Sequence, residues 1–389
     1  MSEQATSPAE TAPPAEQHQT QTQTQTQTQA PEPSVPSKPE SPAKETEPQG
    51  ADPSSHPPQP TPNPILEADP DNENDPLDEG YADPSSASAA STSLTSSIYR
   101  YEYANGRRYN GFRSGAYPLP NDEEEQDRLD LLHHIFRLLL DGGLVSAPIG
   151  ANPQRVLDIG TGTGIWAIDF ADEYPSAHVI GTDISPIQPA WVPPNANFYI
   201  DDVESEWVYR ADEAFDYIHC RGMGGSVQDW DRLCGQAYEH LKPGGWLEFQ
   251  EPEAWMTSDD ESKERVHGLN QWQTLVNEAA RKFGKEIDLA PSHAQRMIDA
   301  GFVDVKEEIY KVPIGPWPKD PKLKEVGRYQ LLHVTLGIEP YTFGFVGKIL
   351  KWEDNECRVL TAKALQDVRN KGNHLYVRFF FVRGRKPEA

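Results

Sequence analysis

One stretch constrains this chain more than any other: Val156-Leu157-Asp158-Ile159-Gly160-Thr161-Gly162-Thr163-Gly164-Ile165-Trp166. An apolar strand pattern runs into a turn with glycine at alternate positions, and a helix pattern begins straight after it. Glycine lets the backbone turn tightly and approach a ligand closely. The helix terminus that follows offers free N–H groups. The glycine rhythm differs from the Gly-x-Gly-x-x-Gly of a dinucleotide site, because the third glycine comes two residues after the second. Asp158, ending the strand, would repel a pyrophosphate and attract a cationic amino group. An NAD-linked oxidoreductase is therefore the weaker reading of this turn.

Around that stretch, short apolar runs alternate with helical ones. Strands are expected at 155–159, 178–182, 198–200, 215–219 and 246–250, and helices at 165–173, 228–240, 262–283 and 292–300. Two further strands, 303–311 and 375–383, close the series. This order predicts an α/β fold with a largely parallel, Rossmann-like sheet of seven strands. About sixty residues separate the last two strands, and within them 323–336 and 355–368 read as helices, the first set off by Pro313, Pro316, Pro318 and Pro321. Ahead of the sheet, Leu129, Leu132, Ile135, Phe136 and Leu139 fall at helical spacing behind a cap at Asn121 or Asp122 and a Glu-rich first turn. The helices of the insertion, with the one at 122–140, are expected to cover the mouth of the site.

Composition divides the chain. Residues 1–97 hold 18 of the 36 prolines and a net charge of −14, from 16 acidic and 2 basic residues, out of −26 for the whole. A segment so poor in apolar side chains cannot offset the entropy of ordering itself, so it is expected to be a disordered tail. Gln19–Gln29 alternates Gln and Thr, a low-complexity tract. The domain reading is tail 1–97, helical cap segment 98–150 and catalytic domain 151–389, with a helical insertion at about 319–371. The acidic remainder carries no basic stripe for neutralising phosphates, which argues against direct nucleic-acid binding. No apolar run is long enough to span a bilayer, and no secretion signal opens the chain. Cys220, Cys234 and Cys357 have neither metal-ligand spacing nor the numbers for a disulfide framework, so no metal is expected and a reducing compartment is.

Two more acids follow strands. Asp183, 19 residues after Gly164, is placed to accept the hydroxyl protons of a ribose. Asp202 and Val203, after the third strand, are placed to meet an adenine through its exocyclic amine and a neighbouring N–H; a solvated acidic loop is the alternative. Leu241-Lys242-Pro243-Gly244-Gly245 joins helix to strand and reads as structural. Ligands of open α/β sheets bind beyond the carboxyl ends of the strands, where His219, Cys220 and Arg221 follow the fourth strand and Glu251, Glu253 and Trp255 the fifth. His219 reads as a general base or, more simply, as a structural histidine; Glu251 as an acceptor contact or a buried hydrogen-bonding group. His133 and His134 lie on the amphipathic helix, where at least one reads as packing. No Asn-Pro-Pro-Tyr-like sequence follows the fourth strand, so the amide and nucleobase chemistry tied to it lacks support.

Taken together, Asp158, Gly160, Gly162, Gly164, Asp183, Asp202 and Val203 resemble the cofactor site of class I S-adenosylmethionine-dependent methyltransferases. Residues 98–389 resemble the fungal LaeA-like group through Gly106-Arg107-Arg108-Tyr109, Leu119-Pro120-Asn121-Asp122-Glu123, Asp127-Arg128-Leu129-Asp130, Gly315-Pro316-Trp317-Pro318-Lys319-Asp320 and Gly384-Arg385-Lys386-Pro387. The resemblance implies S-adenosyl-L-methionine as cofactor, an antiparallel last strand, and methyl transfer to a small-molecule or protein acceptor. It further implies a fungal origin, a link to secondary metabolism, velvet-type regulatory partners and a nuclear rather than only cytoplasmic location. It also puts the methionine carboxylate near Arg107 or Tyr117. A regulatory protein that binds the cofactor with little turnover is the competing expectation.

Overall fold

A computed structural model describes residues 66–68 and 101–388. A two-stranded ribbon, β1 (Glu102–Ala104) and β2 (Arg107–Tyr109), leads into helix α1 (Glu123–Leu139). The sheet and its helices follow: β3 (Arg155–Ile159), α2 (Ile165–Glu173), β4 (His178–Asp183), β5 (Ala196–Ile200), β6 (Phe215–Arg221), α3 (Trp230–His240), β7 (Leu241–Pro252), α4 (His267–Phe283), α5 (His293–Asp299) and β8 (Val303–Pro313). Helices α6 (Pro321–Tyr341) and α7 (Asp354–Val368) precede the final strand β9 (Tyr376–Arg385).

The seven strands lie in the order β5-β4-β3-β6-β7-β9-β8. The five from β3 to β7 pair in parallel, whereas β9 inserts antiparallel between β7 and β8. All seven expected strands form, and the long insertion leaves the pairing of the last two intact. Strand residues are buried on both faces, as a sheet covered by helices requires. Leu157 and Ile159 of β3 pack with Leu233 and Ala237 of α3, while Val156 packs with Trp166 and Phe170 of α2. At the sheet's edge of entry, Lys242-Pro243-Gly244-Gly245 lies inside β7 as a bulge, where the register against β6 shifts between Phe215 and Tyr217.

Helix α1 starts at Asp122, whose side chain accepts from the Glu125 N–H at 3.2 Å, and its three following glutamates suit the positive end of the helix dipole. Its apolar stripe buries against the last strand, with Phe136 tilted on Phe379 at 5.0 Å and edge-on to Phe381 at 5.6 Å. The 262–283 helix is broken. A single turn, Ser262–Arg265, precedes α4, because Val266 leaves helical geometry to bury its side chain. The insertion's first helix runs five residues past its expected end, through Pro340, and continues as a π-helical turn, Thr342–Gly347. There the Thr342 hydroxyl donates to the Ile338 carbonyl at 2.6 Å and accepts from Trp272 Nε1 at 2.8 Å. The ribbon β1–β2 was not expected, although Tyr99, Tyr101 and Tyr103 alternate into its first strand.

The tail expectation lies outside the described residues except at Leu66–Ala68. There Ala68 forms an antiparallel bridge with Pro318, and Glu67 accepts from the Lys319 N–H at 2.9 Å and ion-pairs with its ammonium at 3.1 Å. Among the described residues, no helix is long and apolar enough to cross a membrane.

Candidate active site

Two cavities open at the carboxyl ends of the central strands, of about 130 and 140 Å³. The first is floored by the β3–α2 turn and walled by the ends of β4, β5 and β6. The second lies beyond β7, between α1, α4 and α6. Tyr117, Leu129, Leu132 and Gly222 belong to both.

In the first cavity the glycine turn is under tight steric control. A Cβ on Gly160 would sit 2.0 Å from the Met223 sulfur, and one on Gly164 2.6 Å from the Phe198 ring, both at positive φ. Asp158 and Asp183 open onto this cavity from neighbouring strands. Asp183 is fixed by two backbone donors, Gly162 N–H at 2.9 Å and Ser185 N–H at 2.8 Å. Burial pushes its carboxyl up to about 6, with Asp158 adding to the effect. Asp158 accepts from the Thr161 hydroxyl at 2.6 Å and from His219 Nδ1 at 2.7 Å. Asp202 and Val203 also line the cavity. The Asp202 carboxylate accepts the Glu204 N–H at 2.9 Å and ion-pairs with Arg113 at 2.6 Å.

His219 is not placed to act as a base. It is fully buried, lies flat against Trp166 at 3.8 Å, lines neither cavity, and orients Asp158. The structural reading of that histidine is the one the geometry supports. Cys220 and Trp255 likewise line neither cavity, and Arg107 is committed to Asp122 by two hydrogen bonds of 2.6 and 2.7 Å. Tyr117 does face the site. His134 packs edge-on to Tyr329 at 4.6 Å.

Arg221 and Lys285 bring cations to the first cavity, and Lys285 is spent on Glu204 at 2.9 Å. Among the described residues no carboxylate pairs with Arg221. Its guanidinium instead donates to His133 Nδ1 at 3.0 Å and lies over the Phe136 ring. Burial, with Arg221 beside it, pushes His133 down to about 4, so the imidazole is neutral and its Nε2–H donates to Asp169 at 3.1 Å. The sequence showed Arg221 at the end of a strand. The relay that holds it comes from α1 and α2, far away in the chain.

The second cavity is mostly apolar. Glu251 enters it from the end of β7, accepting from Met223 N–H at 2.7 Å and Gly224 N–H at 3.3 Å, and burial pushes its carboxyl up to about 8. Arg128 lines the wall but is tied to Glu125 at 2.5 and 2.9 Å. Of the three helices expected over the mouth, α1 and α6 line the cavity. Helix α7 does not; it backs α4, whose Gly268 approaches it so closely that a Cβ would lie 2.7 Å from the Lys363 carbonyl. Helix α4, expected only as one helix of the alternation, contributes Trp272, Gln273, Val276 and Asn277.

A parallel sheet with an inserted antiparallel strand, and a glycine turn between two strand-end acids, define a class I S-adenosylmethionine-dependent methyltransferase. A methyltransferase domain family matches residues 131–307. The chain is 42% identical to the methyltransferase pytC of Aspergillus terreus over 76% of this chain and 91% of that protein. It is 37% identical to the secondary metabolism regulator LAE1 of Cochliobolus heterostrophus, over 73% and 94%. It is 35% identical to the protein-methionine methyltransferase laeA of Emericella nidulans, over 74% and 77%. The chain belongs to the LaeA-like group of these enzymes, and its cofactor is S-adenosyl-L-methionine.

Proposed function

We propose that the first cavity holds the cofactor, with Asp183 accepting the ribose hydroxyls, Asp202 and Val203 meeting the adenine, Asp158 the ammonium and Arg221 the carboxylate of the methionine end. The residues fit such a guest. A buried carboxylate, a half-buried one and one guanidinium without a carboxylate partner converge on a turn that side chains would fill. That convergence carries the reading. The bound cofactor supplies a methyl group already activated on a sulfonium, so the chain's part is to position, to exclude water and, for a proton-bearing acceptor, to take the proton. The acceptor enters through the second cavity, and the methylation serves secondary metabolism or its regulation, in keeping with the names its relatives carry.

Calorimetric titration with S-adenosylmethionine and S-adenosylhomocysteine tests the site. Binding should survive deletion of residues 1–60 and fall at least tenfold in Arg221→Met. A folded protein indifferent to both compounds would end the reading. A second reading, a regulator that binds the cofactor with little turnover and works in the nucleus through velvet-type proteins, is favoured by the regulators among its relatives. Turnover counted against nuclear and small-molecule extracts, together with localisation of a fluorescent fusion, separates the two.

A further inference from the structure

Gln330 lies on α6, inside the insertion, and lines the second cavity. It is 3% exposed, and its Oε1 is buried without a hydrogen-bond partner. A buried acceptor left unpaired costs about 1–3 kcal/mol, so this oxygen is placed for a guest that brings a donor. Across the same cavity, two of the Glu251 carboxylate's hydrogen-bonding positions are filled by the Met223 and Gly224 amides, and the carboxylate still lines the cavity.

The charge of the guest is constrained as well. Arg128 is the one Lys or Arg among the described residues lining this cavity, and Glu125 neutralises it. Burial and Arg128 hold His333 well below its usual value, so it is uncharged at neutral pH. Glu253 is paired with Arg378. An anionic guest would find no free countercharge, and a cationic one would meet only a Glu253 already paired and a Glu251 carboxyl that burial keeps mainly neutral at pH 7. The rest of the wall, including Val276, Val334, Ile338 and Trp272, asks for an apolar body.

We infer that the second cavity takes a small, neutral, largely apolar acceptor carrying at least two hydrogen-bond donors: a reacting hydroxyl directed at Glu251 and a second O–H or N–H directed at Gln330 Oε1. This rests on the cofactor site proposed above. In the transfer, the hydroxyl oxygen forms a bond to the methyl carbon as that carbon leaves sulfur, whose bonding pair stays behind as a thioether lone pair. The hydroxyl proton passes to the Glu251 carboxylate. Gln330 touches the guest as a specificity residue and takes no proton.

The test uses the full chain loaded with S-adenosylhomocysteine, whose binding is measured first, and four probes on one ring frame: 2,7-dihydroxynaphthalene, its dimethyl ether, 2-naphthoate and 2-naphthylmethylammonium. The diol should bind at least tenfold more tightly than each of the others by calorimetry. Gln330→Leu should remove that preference while leaving ether binding within threefold. Glu251→Gln should still bind the diol but, with S-adenosylmethionine supplied in place of S-adenosylhomocysteine, methylate it at least 100-fold more slowly. The wild-type rate should climb as pH rises through about 8 and flatten in that variant. Arg221, Tyr341 and Cys220 bear on Glu251, and Arg128, His333, Glu253 and Tyr117 share its cavity; the phenols and the thiol are raised by burial and His333 is lowered, so they titrate away from this window. Equal or tighter binding of naphthoate, of the ammonium or of the ether overturns the inference, as does the absence of diol binding. The probe comparison within the wild type needs no variant to fold. Should S-adenosylhomocysteine itself fail to bind, the cofactor reading falls and takes this one with it.

Discussion

The two cavities share a wall and differ in how they are made. The first is assembled at strand ends, from turns whose key residues lie within a few positions of one another, with Asp183 held by the amides of its own and the neighbouring turn. The second is assembled from α1, α4, α6 and the end of β7, with Arg128 and His333, which touch across its wall, 205 residues apart. A site built at strand ends is set once the sheet forms. A site fixed by packed helices depends on each helix keeping its place, and tolerates exchange of the side chains that face the guest.

The sharpest way to break this contrast is Glu125→Ala. Removing one partner of a buried ion pair costs about 3–5 kcal/mol, because Arg128 is left buried and unpaired. Thermal unfolding should register the loss, and S-adenosylhomocysteine affinity should move less than probe binding in the second cavity. Equal losses would mean the two cavities are one mechanical unit. Next comes Gly162→Arg, which puts a long side chain at a positive-φ position lining the first cavity. Cofactor affinity should fall at least 100-fold, about 2.7 kcal/mol, with diol binding changed less. A third test is Asp183→Asn. Because burial raises the Asp183 carboxyl to about 6, the cofactor-free protein is favoured while this group is neutral and loses that advantage as pH rises through 6. Binding runs the other way: the carboxylate is the stronger acceptor, so cofactor affinity should weaken as pH falls through 6, roughly tenfold by pH 5. Asparagine should erase that slope. The smallest effect belongs to Lys319→Ala, which removes one exposed ion pair with Glu67 and should change the unfolding temperature by an amount equivalent to less than about 1 kcal/mol. A larger shift would give the 66–68 contact a greater role.

The same contrast explains what could be read from the chain beforehand. The glycine turn, the acids at strand ends and the alternation of elements are local patterns, and all seven strands formed where periodicity put them. Helix α1 was announced by its cap and its stripe. Of the second cavity only Glu251, Glu253 and the covering helices were legible, because Trp272, Gln330 and His333 join Glu251 only after three elements, α4, α6 and β7, pack. His219 had two readings from its place near a strand end, a base or, more simply, a structural histidine, and inside β6 it stacks on Trp166 as the second requires. Arg221, from the same strand end, is the residue that reaches the cavity, and its orientation depends on His133 and Asp169.

Tyr117, Leu129, Leu132 and Gly222 face both cavities, which bears on the order of events in a catalytic cycle. A guest settling on one side presses the partition that bounds the other, so occupancy of either compartment should change the affinity of its neighbour, and by the same factor in each direction. A cell holding a high ratio of demethylated to methylated cofactor would then tune how firmly the enzyme grips its second substrate, before any methyl group moves.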